Sequence, residues 1–267
     1  MKVYIAVDSE GEACITREKD PETVYGTWQA EYIRQRATAE ASAAVRGARE
    51  AGADQILVHD CGFIRGASPI GLVLHYDDLP RGVHIGLGGA PIQRLCDDSF
   101  DAAILIGHHA MAGVEDGVMA HTFSSRTIEE MRFNGQPIGE IGFESLLFGA
   151  FGVPVVMVSA DEAGCREARE WLGDIELAPT KRGLATHWAV SLHPQDACEL
   201  IQDRARAALE RLSDFTPLTA APPLELQVTC FTEAQARKRC ASVGERAEMV
   251  GDRSYAIRAD EPLELAW

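Results

Sequence analysis

Short apolar runs rich in β-branched residues alternate with longer helix-like segments along the first part of the chain. Residues 3–7 form the first run, which ends in polar residues and Gly11. Residues 31–51 are rich in Ala, Arg and Glu, and Gly52 follows them in the position of a helix-ending glycine. Further strand-like runs lie at residues 56–58, 102–106 and, more weakly, 82–87. This alternation predicts a three-layer α/β fold with a largely parallel central sheet flanked by helices.

The pattern changes at a proline-rich stretch, residues 216–223, which we predict to be a linker. Before it, the sequence predicts helices at residues 139–152 and 193–212 and a strand at residues 153–158. After it, the sequence predicts a strand at residues 224–230, a helix at 233–240 and a strand at 255–258. We therefore expect a main α/β domain of residues 1–215 and a smaller C-terminal α/β subdomain, residues 216–267, packed on the first.

The charge of the chain argues against two classes of partner. Lys and Arg number 25 against 41 Asp and Glu, so the formal net charge is −16. A charge of this sign repels the phosphates of nucleic acids and the headgroups of anionic lipids. No apolar run approaches the roughly 18 residues that a membrane helix needs. We expect neither nucleic acid nor membrane partners.

Cysteine usage indicates the compartment. The seven cysteines are widely spaced, odd in number and without a CxxC pair, which is not the pattern of a disulfide framework. The N-terminal apolar run turns acidic at Asp8, too early for the apolar region of a signal peptide. A reducing, cytoplasmic location is the expectation.

Polar residues collect where three predicted strands end. Asp8 and Glu10 follow the first strand, residues 59–60 (His-Asp) the second, and residues 108–109 (His-His) a later one. Ligands of open α/β sheets bind outside the carboxyl ends of the strands, so these groups are expected to form one site. Asp8 and Glu10 are two residues apart and share a face on extended backbone. Two such carboxylates suit a divalent cation or an acid/base couple.

Two further segments contribute an imidazole and a carboxylate that could belong to this site. His121 follows His108 and His109 within a glycine-rich loop, and imidazole is both a common metal ligand and the usual general base. Glu140 lies between glycines at the start of an apolar helix, where a neighbouring group can approach the backbone closely. Each residue alone is also typical of turns, helix caps or structural histidines. Their combination predicts a metal-dependent hydrolase.

Five segments, taken in order and with their spacing, resemble the M55 metallopeptidases, a family of D-aminopeptidases. The resemblance runs from Met1 to about Pro194 and continues more weakly to the end of the chain. The segments are residues 7–11 (Val-Asp-Ser-Glu-Gly), 107–110 (Gly-His-His-Ala), 118–122 (Val-Met-Ala-His-Thr), 137–142 (Pro-Ile-Gly-Glu-Ile-Gly) and 153–158 (Val-Pro-Val-Val-Met-Val).

The resemblance implies a zinc aminopeptidase with two metal ions that assembles into a ring-like homo-oligomer, a decamer. In the position of Asp8 the family has a carboxylate that bridges both ions. Glu10 matches a ligand of the first ion, and His109 and Glu140 match ligands of the second. His121 matches the histidine that has the catalytic role.

One family ligand is missing. Gly62 stands where the family has a histidine that completes the first metal site, and glycine offers no side-chain ligand. The number of zinc ions per subunit is therefore open between one and two, with two preferred. The candidate replacements are His59, Asp60, Cys61, His108 and Asp161.

Three functions follow from these residues. The leading one is a zinc-dependent hydrolase, an aminopeptidase or related amidohydrolase, that cleaves short peptides with metal-activated water. The second keeps the fold but acts on a small non-peptide amide, because the loop around Gly62 departs from the family pattern. The third is a non-catalytic protein used for binding or assembly. The choice between D- and L-residues at the substrate N-terminus stays open.

Overall fold

The computed structural model describes residues 1–16, 28–61, 73–87 and 91–266. In chain order the strands are β1 (Lys2–Val7), β2 (Gln55–Asp60), β3 (His84–Gly86), β4 (Ala102–His108), β5 (Ile128–Phe133), β6 (Gln136–Pro137), β7 (Val155–Asp161), β8 (Glu176–Ala185), β9 (Trp188–Ser191), β10 (Leu224–Cys230), β11 (Ala247–Met249) and β12 (Ser254–Ala259). The helices are α1 (Trp28–Glu50), α2 (Ile92–Leu95), α3 (Glu140–Gly149), α4 (Glu162–Leu172), α5 (Pro194–Glu210) and α6 (Glu233–Val243).

The main sheet has seven strands in the order β3-β2-β1-β4-β7-β8-β9. All neighbours are parallel except β9, which pairs antiparallel with β8 as a hairpin. Strand β1 pairs with β2 on one side and β4 on the other, so Val7 has Asp60 and Ile106 as its register partners. The carboxyl ends of these three strands therefore meet at one edge of the sheet.

Helices cover both faces of this sheet, which is why its strands are apolar on both sides. Alternate residues of β1 face opposite cores: Val3, Ile5 and Val7 pack into a cluster with α1 and α5, whereas Tyr4 and Ala6 pack with α3 and α4. Among the described residues, no helix combines the length and apolar content needed to cross a membrane.

A second sheet of five antiparallel strands has the order β11-β12-β10-β5-β6. Its central strand, β10, pairs with β12 and with β5, where Leu226 lies opposite Phe133. The inner residues of this sheet, among them Met131 and Val228, are buried in the same cluster as α3. The second sheet thus packs on the α3 side of the main sheet.

The predicted fold class is confirmed. The helix predicted over residues 31–51 is α1, and the strands predicted over 56–58, 82–87, 102–106 and 153–158 correspond to β2, β3, β4 and β7. Missing from the sequence-based prediction are α2, α4, β5, β6, β8, β9 and β11. Strand β8 includes Pro179, Lys181 and Gly183, so it carries no apolar run to detect.

The division into residues 1–215 and 216–267 stays a prediction. Residues 216–223 contain no helix or strand, and the predicted strands and helix beyond them are β10, α6 and β12. The second sheet also takes β5 and β6 from residues 128–137, well before this stretch. A strand pairing across such a distance along the chain leaves no local signal in the sequence.

Candidate metal centre

The loops that follow β1 and β4 lie in backbone contact. Asp8 N donates a hydrogen bond of 2.8 Å to Ile106 O, and Gly11 N donates one of 2.7 Å to Gly107 O. These bonds continue the pairing of the two strands beyond the sheet. They bring Asp8 and Glu10 toward His109, although about a hundred residues separate them along the chain.

Two glycines make this contact possible. A Cβ atom on Gly11 would lie 1.7 Å from the carbonyl oxygen of His108, far inside any allowed contact. Gly107 has a φ of +70°, and a Cβ atom there would lie 2.6 Å from Asp8 O. Both positions therefore require glycine for steric reasons.

His109 presents one ring nitrogen to two carboxylates. Its Nδ1 donates to Ala110 O at 3.0 Å, so in the neutral ring, the form that binds a metal, the lone pair is on Nε2. Nε2 is buried, 3.5 Å from Asp8 Oδ2 and 3.3 Å from Glu140 Oε1. It forms no hydrogen bond with any of the described residues. A buried ring nitrogen that faces two carboxylates without a hydrogen bond to either is an arrangement that a metal cation can complete by replacing the ring proton.

His121 lies beside His109 with its ring stacked on it, at a centroid distance of 4.1 Å and an interplanar angle of 10°. Its Nδ1 donates to Met119 O at 2.8 Å, so Nε2 carries the lone pair here as well. That nitrogen is 3.9 Å from Glu140 Oε1. His121 therefore directs Nε2 toward the same carboxylate that faces His109.

The five residues that the sequence singled out come together in two overlapping sets of metal-ligating atoms. One set is Asp8, Glu10 and His109, and the other is His109, His121 and Glu140. Within each set the ligand atoms lie within 4.8 Å of one another. Carboxylate oxygens with imidazole nitrogens are ligands that zinc accepts. The residues present thus fit a zinc centre, and His121 is among the side chains that could contact the ion.

The charged groups of the cluster shift one another's pKa. Burial acts to lower the pKa of His109, but Glu140 and Asp8 outweigh it and raise that pKa well above its usual value. Burial acts to raise the pKa of Asp8 and of Glu140, but His109 outweighs it and lowers both. Two ionised carboxylates on one imidazole form a negatively charged pocket, which attracts a divalent cation.

Lys181 of β8 binds the backbone of the loop that follows β1. Its buried Nζ donates to three backbone carbonyl oxygens: Glu10 O at 2.5 Å, Glu12 O at 2.7 Å and Ile15 O at 2.6 Å. Burial lowers the pKa of Lys181 to about 8 against the opposing effect of nearby carboxylates. The ammonium group thereby stabilises the backbone conformation of the loop that carries Asp8 and Glu10.

Two buried glutamates lie beside this loop, and one of them binds its backbone. Glu40 of α1 accepts a hydrogen bond of 2.9 Å from Ala13 N, and burial raises its pKa to about 7. The Glu12 carboxyl group is fully buried, without a hydrogen bond among the described residues, and burial raises its pKa well above the usual value. Sequence reasoning missed Lys181, Glu12 and Glu40, because none of them lies in a recognisable motif.

Gly62 lies outside the described residues, but all five candidate replacements for the missing ligand are described. Two of them serve other purposes. Asp60 accepts hydrogen bonds from Val73 N, Leu74 N and Tyr76 OH at 3.0–3.1 Å. Asp161 caps α4 by accepting from Gly164 N at 2.7 Å, and its other oxygen accepts from Val118 N at 2.7 Å.

The remaining three candidates lie on the α3 side of the sheet. His59 Nδ1 is 2.9 Å from Tyr4 OH. His108 Nε2 is 3.0 Å from Glu144 Oε2. The Cys61 thiol lies 3.1 Å from Val7 O, directly before Asp8, and burial raises its pKa well above the usual value.

The pair of His108 and Glu144 was not expected from the sequence. Glu144 lies one turn after Glu140 on α3, so the two carboxylates share a side of the helix. Burial acts to lower the pKa of His108, but Glu144 outweighs it and the net shift is upward. Burial raises the pKa of Glu144 in spite of His108. The signal that could have revealed Glu144 is its spacing of four residues from Glu140.

Comparison with known proteins places the chain among peptidases. The model of peptidase family M55, described as D-aminopeptidase, matches residues 1–266. A D-aminopeptidase of Bacillus subtilis (strain 168) is 26% identical over 245 residues, which cover 88% of this chain and 84% of the relative. The solved structure of the Zn-dependent D-aminopeptidase DppA from Bacillus subtilis, described as a self-compartmentalizing protease, has a similar fold. It superposes with a TM-score of 0.87 at 24% identity, covering 99% of this chain and 94% of that one.

Replacing Lys181 by Met should loosen the loop that carries Asp8 and Glu10. The variant leaves three carbonyl groups and the nearby carboxylates without their cation, so we expect the free energy of unfolding to fall by about 3–5 kcal/mol. Zinc content per subunit should fall with it. Chemical denaturation and elemental analysis measure the two effects.

The matched control is Lys238→Met, which removes an exposed lysine of α6 and should change neither quantity. A Lys181→Met protein with parental stability and zinc content would show that the loop keeps its shape without this ammonium group.

Proposed function

Because the chain belongs to peptidase family M55, the D-aminopeptidases, we propose that it is a zinc-dependent aminopeptidase that releases the N-terminal residue of short peptides. The observation that carries the proposal is the meeting of Asp8, Glu10, His109, Glu140 and His121 in one cluster. A site of carboxylates and imidazoles at the carboxyl edge of a parallel sheet suits metal-assisted hydrolysis.

We assign metal binding to four of these residues. Asp8, in the position of the family's bridging carboxylate, would serve both ions; Glu10 would hold the first, and His109 and Glu140 the second. Zinc bound there would polarise the scissile carbonyl and lower the pKa of the attacking water. The Ala110 carbonyl orients the His109 ring for this task by fixing the proton on Nδ1.

His121 is assigned the proton transfer. Its Nδ1 proton is held by Met119 O, so Nε2 is free to accept a proton from the attacking water. The same atom would return that proton to the amine nitrogen that leaves. Stacking on His109 keeps the His121 ring in this orientation without blocking Nε2.

The direct test is hydrolysis by the zinc-loaded protein of dipeptides and tripeptides with D- or L-residues at the N-terminus. We expect cleavage of peptides with a free amino group and none of their N-acetylated forms. His121→Ala should lower kcat by about a hundredfold to ten-thousandfold, the usual contribution of general acid/base catalysis. His84→Ala, at an exposed position of β3, is the control.

The same assay separates the alternatives. Activity confined to small non-peptide amides would replace the peptide substrate but keep the chemistry. The absence of any amide cleavage with zinc or manganese, together with an inert His121→Ala variant, would favour a binding or assembly role.

We propose two zinc ions per subunit. His109 offers Nε2 alone, because Nδ1 is bonded to Ala110 O, so it serves one ion. With His109 and Glu140 assigned to the second ion, the first keeps Asp8 and Glu10 and needs another ligand. It should therefore be the more weakly held of the two.

Cys61 is our candidate for that ligand. Asp60 and Asp161 are held by backbone N–H groups, His59 is hydrogen-bonded to Tyr4 OH, and His108 is paired with Glu144. The Cys61 thiol, by contrast, lies 3.1 Å from the carbonyl of the residue before Asp8. Burial and the neighbouring carboxylates of Glu144 and Asp8 disfavour the thiolate in the absence of a cation, and zinc would reverse this.

Metal content tests this assignment. Elemental analysis should find about two zinc ions per subunit in the parent protein and about one in Glu10→Gln. In the cobalt-substituted protein, a thiolate ligand gives a sulfur-to-cobalt charge-transfer absorption that Cys61→Ser should abolish. Cys14→Ser, which changes an exposed cysteine, should keep that absorption. One equivalent in the parent would indicate a mononuclear site around Asp8, His109 and Glu140.

We also propose that the chain forms a homo-oligomer, with the ring decamer of the family as the expected size. The relative in the solved structure is described as self-compartmentalizing. The hairpin of β8 and β9 exposes an apolar surface at the edge of the main sheet: Leu184, Trp188 and Val190 are 54%, 69% and 56% exposed. Apolar side chains grouped at a sheet edge are typical of contacts between subunits.

Trp188→Glu should therefore break the assembly. A charge in an apolar subunit contact is not compensated, so sedimentation velocity should show a smaller species than the parent. Phe231→Glu, at an exposed aromatic residue outside the hairpin, is the control. An unchanged sedimentation coefficient in Trp188→Glu would place the subunit contact elsewhere.

For location, we propose the cytoplasm, where a reducing environment suits seven free cysteines. The net charge of −16 also favours small substrates over nucleic acid or anionic membranes as partners.

A further inference from the structure

A cavity of about 340 Å³ lies between α3, the end of β2 and the C-terminal part of the chain. Its volume falls in the range of pockets that bind small ligands. Apolar side chains form much of its wall, including Ile92, Phe123, Phe143 and Leu147. The charged residues Glu144 and Arg239 line it as well.

The cavity adjoins the metal centre through three of its lining residues. Phe123 N donates a hydrogen bond of 2.6 Å to Glu140 Oε1, the carboxylate that faces His109. Glu144 lies one helical turn from Glu140. The Cys61 thiol contacts the carbonyl of Val7, the residue before Asp8. The cavity therefore lies next to the residues of the metal centre, and its opposite wall is apolar.

Glu144 is the charged group at the inner end. It is buried, and His108 Nε2 contacts its Oε2 at 3.0 Å. Among the described residues, the hydrogen-bond partner of this carboxylate contacts Oε2, which leaves Oε1 for the cavity that Glu144 lines. A carboxylate oxygen in the wall of a cavity gains from a cationic hydrogen-bond donor, since charge-assisted bonds are the stronger class. The substrate of an aminopeptidase carries such a donor, its α-ammonium group.

Arg239 also lines the cavity, but its guanidinium group already donates hydrogen bonds within the protein. Its Nε and one terminal nitrogen donate to Thr127 Oγ1 at 3.2 and 2.7 Å. Phe143 and Leu147 lie on α3 within one turn of Glu144. The cavity-lining side chains that are close to Glu144 along the helix are therefore apolar.

We propose that this cavity binds the N-terminal residue of the substrate, with its α-ammonium group on Glu144 and an apolar side chain against Phe143 and Leu147. The inference rests on the proposed aminopeptidase function and names the substrate class: peptides with a leucine-sized or phenylalanine-sized N-terminal residue. Glu144 acts here as a binding residue. His108 positions it by occupying Oε2 and leaving Oε1 for the substrate.

Calorimetric titration of the zinc-loaded protein with reaction products tests this without any need for turnover. The ligands are D- and L-leucine and 4-methylpentanoic acid, which is leucine without its amino group. One leucine enantiomer should bind about tenfold to a hundredfold more tightly than the amine-free acid, as expected for a charge-assisted hydrogen bond. Glu144→Gln should remove that difference and leave the affinity for 4-methylpentanoic acid unchanged.

Two controls separate this role from a structural one. Glu170→Gln, on the exposed surface of α4, should keep the full difference. Phe143→Ala should weaken leucine and 4-methylpentanoic acid alike, because both lose the apolar contact. Zinc content and melting temperature are measured for every variant, so a misfolded protein is recognised.

Three results would overturn the proposal. In the first, Glu144→Gln keeps the parental preference for the amine, which would assign the ammonium group to another partner. In the second, glutamate binds more tightly than leucine, which would make Arg239 the determinant of specificity. In the third, the parent binds neither leucine nor 4-methylpentanoic acid. A preference for leucine that depends on Glu144 in a protein without peptidase activity would refute the proposed function alone.

Discussion

The site depends on one backbone contact, that between the loops following β1 and β4. Parallel strands that are neighbours in the sheet end side by side, but their loops normally diverge once a side chain stands between them. Here Gly11 and Gly107 remove that obstacle, and a hydrogen bond of 2.7 Å joins the two loops. Asp8 and Glu10 reach His109 as a consequence. The metal centre is thus a direct extension of strand pairing, which explains how carboxylates and imidazoles so far apart in the chain are held together.

This arrangement concentrates charge in a buried place, and the surrounding structure compensates for it. Lys181 binds three carbonyl groups of the first loop, and Glu40 holds the backbone of Ala13. His109 lies between two carboxylates whose combined charge exceeds its own. Such a cluster lowers stability unless a cation enters it, because buried like charges repel. Local features that oppose stability are commonly found where a protein binds or reacts.

Helix α3 links the chemistry to recognition. Glu140 at its first position faces His109 and His121, and Glu144 one turn later faces the adjoining cavity. The helix is otherwise buried and apolar, so both carboxylates are held on a rigid element. The spacing between the metal centre and the group that binds the substrate's amino group would then be set by the pitch of a helix. An aminopeptidase needs such a spacing to act on the first peptide bond and not on later ones.

The sequence by itself determined the α/β class, the family, and the residues at the strand ends. Strand and helix periodicity are local, and the motifs around Asp8, His109 and Glu140 keep a recognisable order, so the fold class and the family are confirmed. Only the tertiary structure decided what depends on contacts between distant segments. Strands β5 and β6 join the second sheet, Lys181 reaches the first loop from a strand without an apolar run, and Glu144 pairs with His108. These features arise from packing between elements that are distant along the chain. Such contacts depend on three-dimensional position, so they produce no periodic pattern in the sequence.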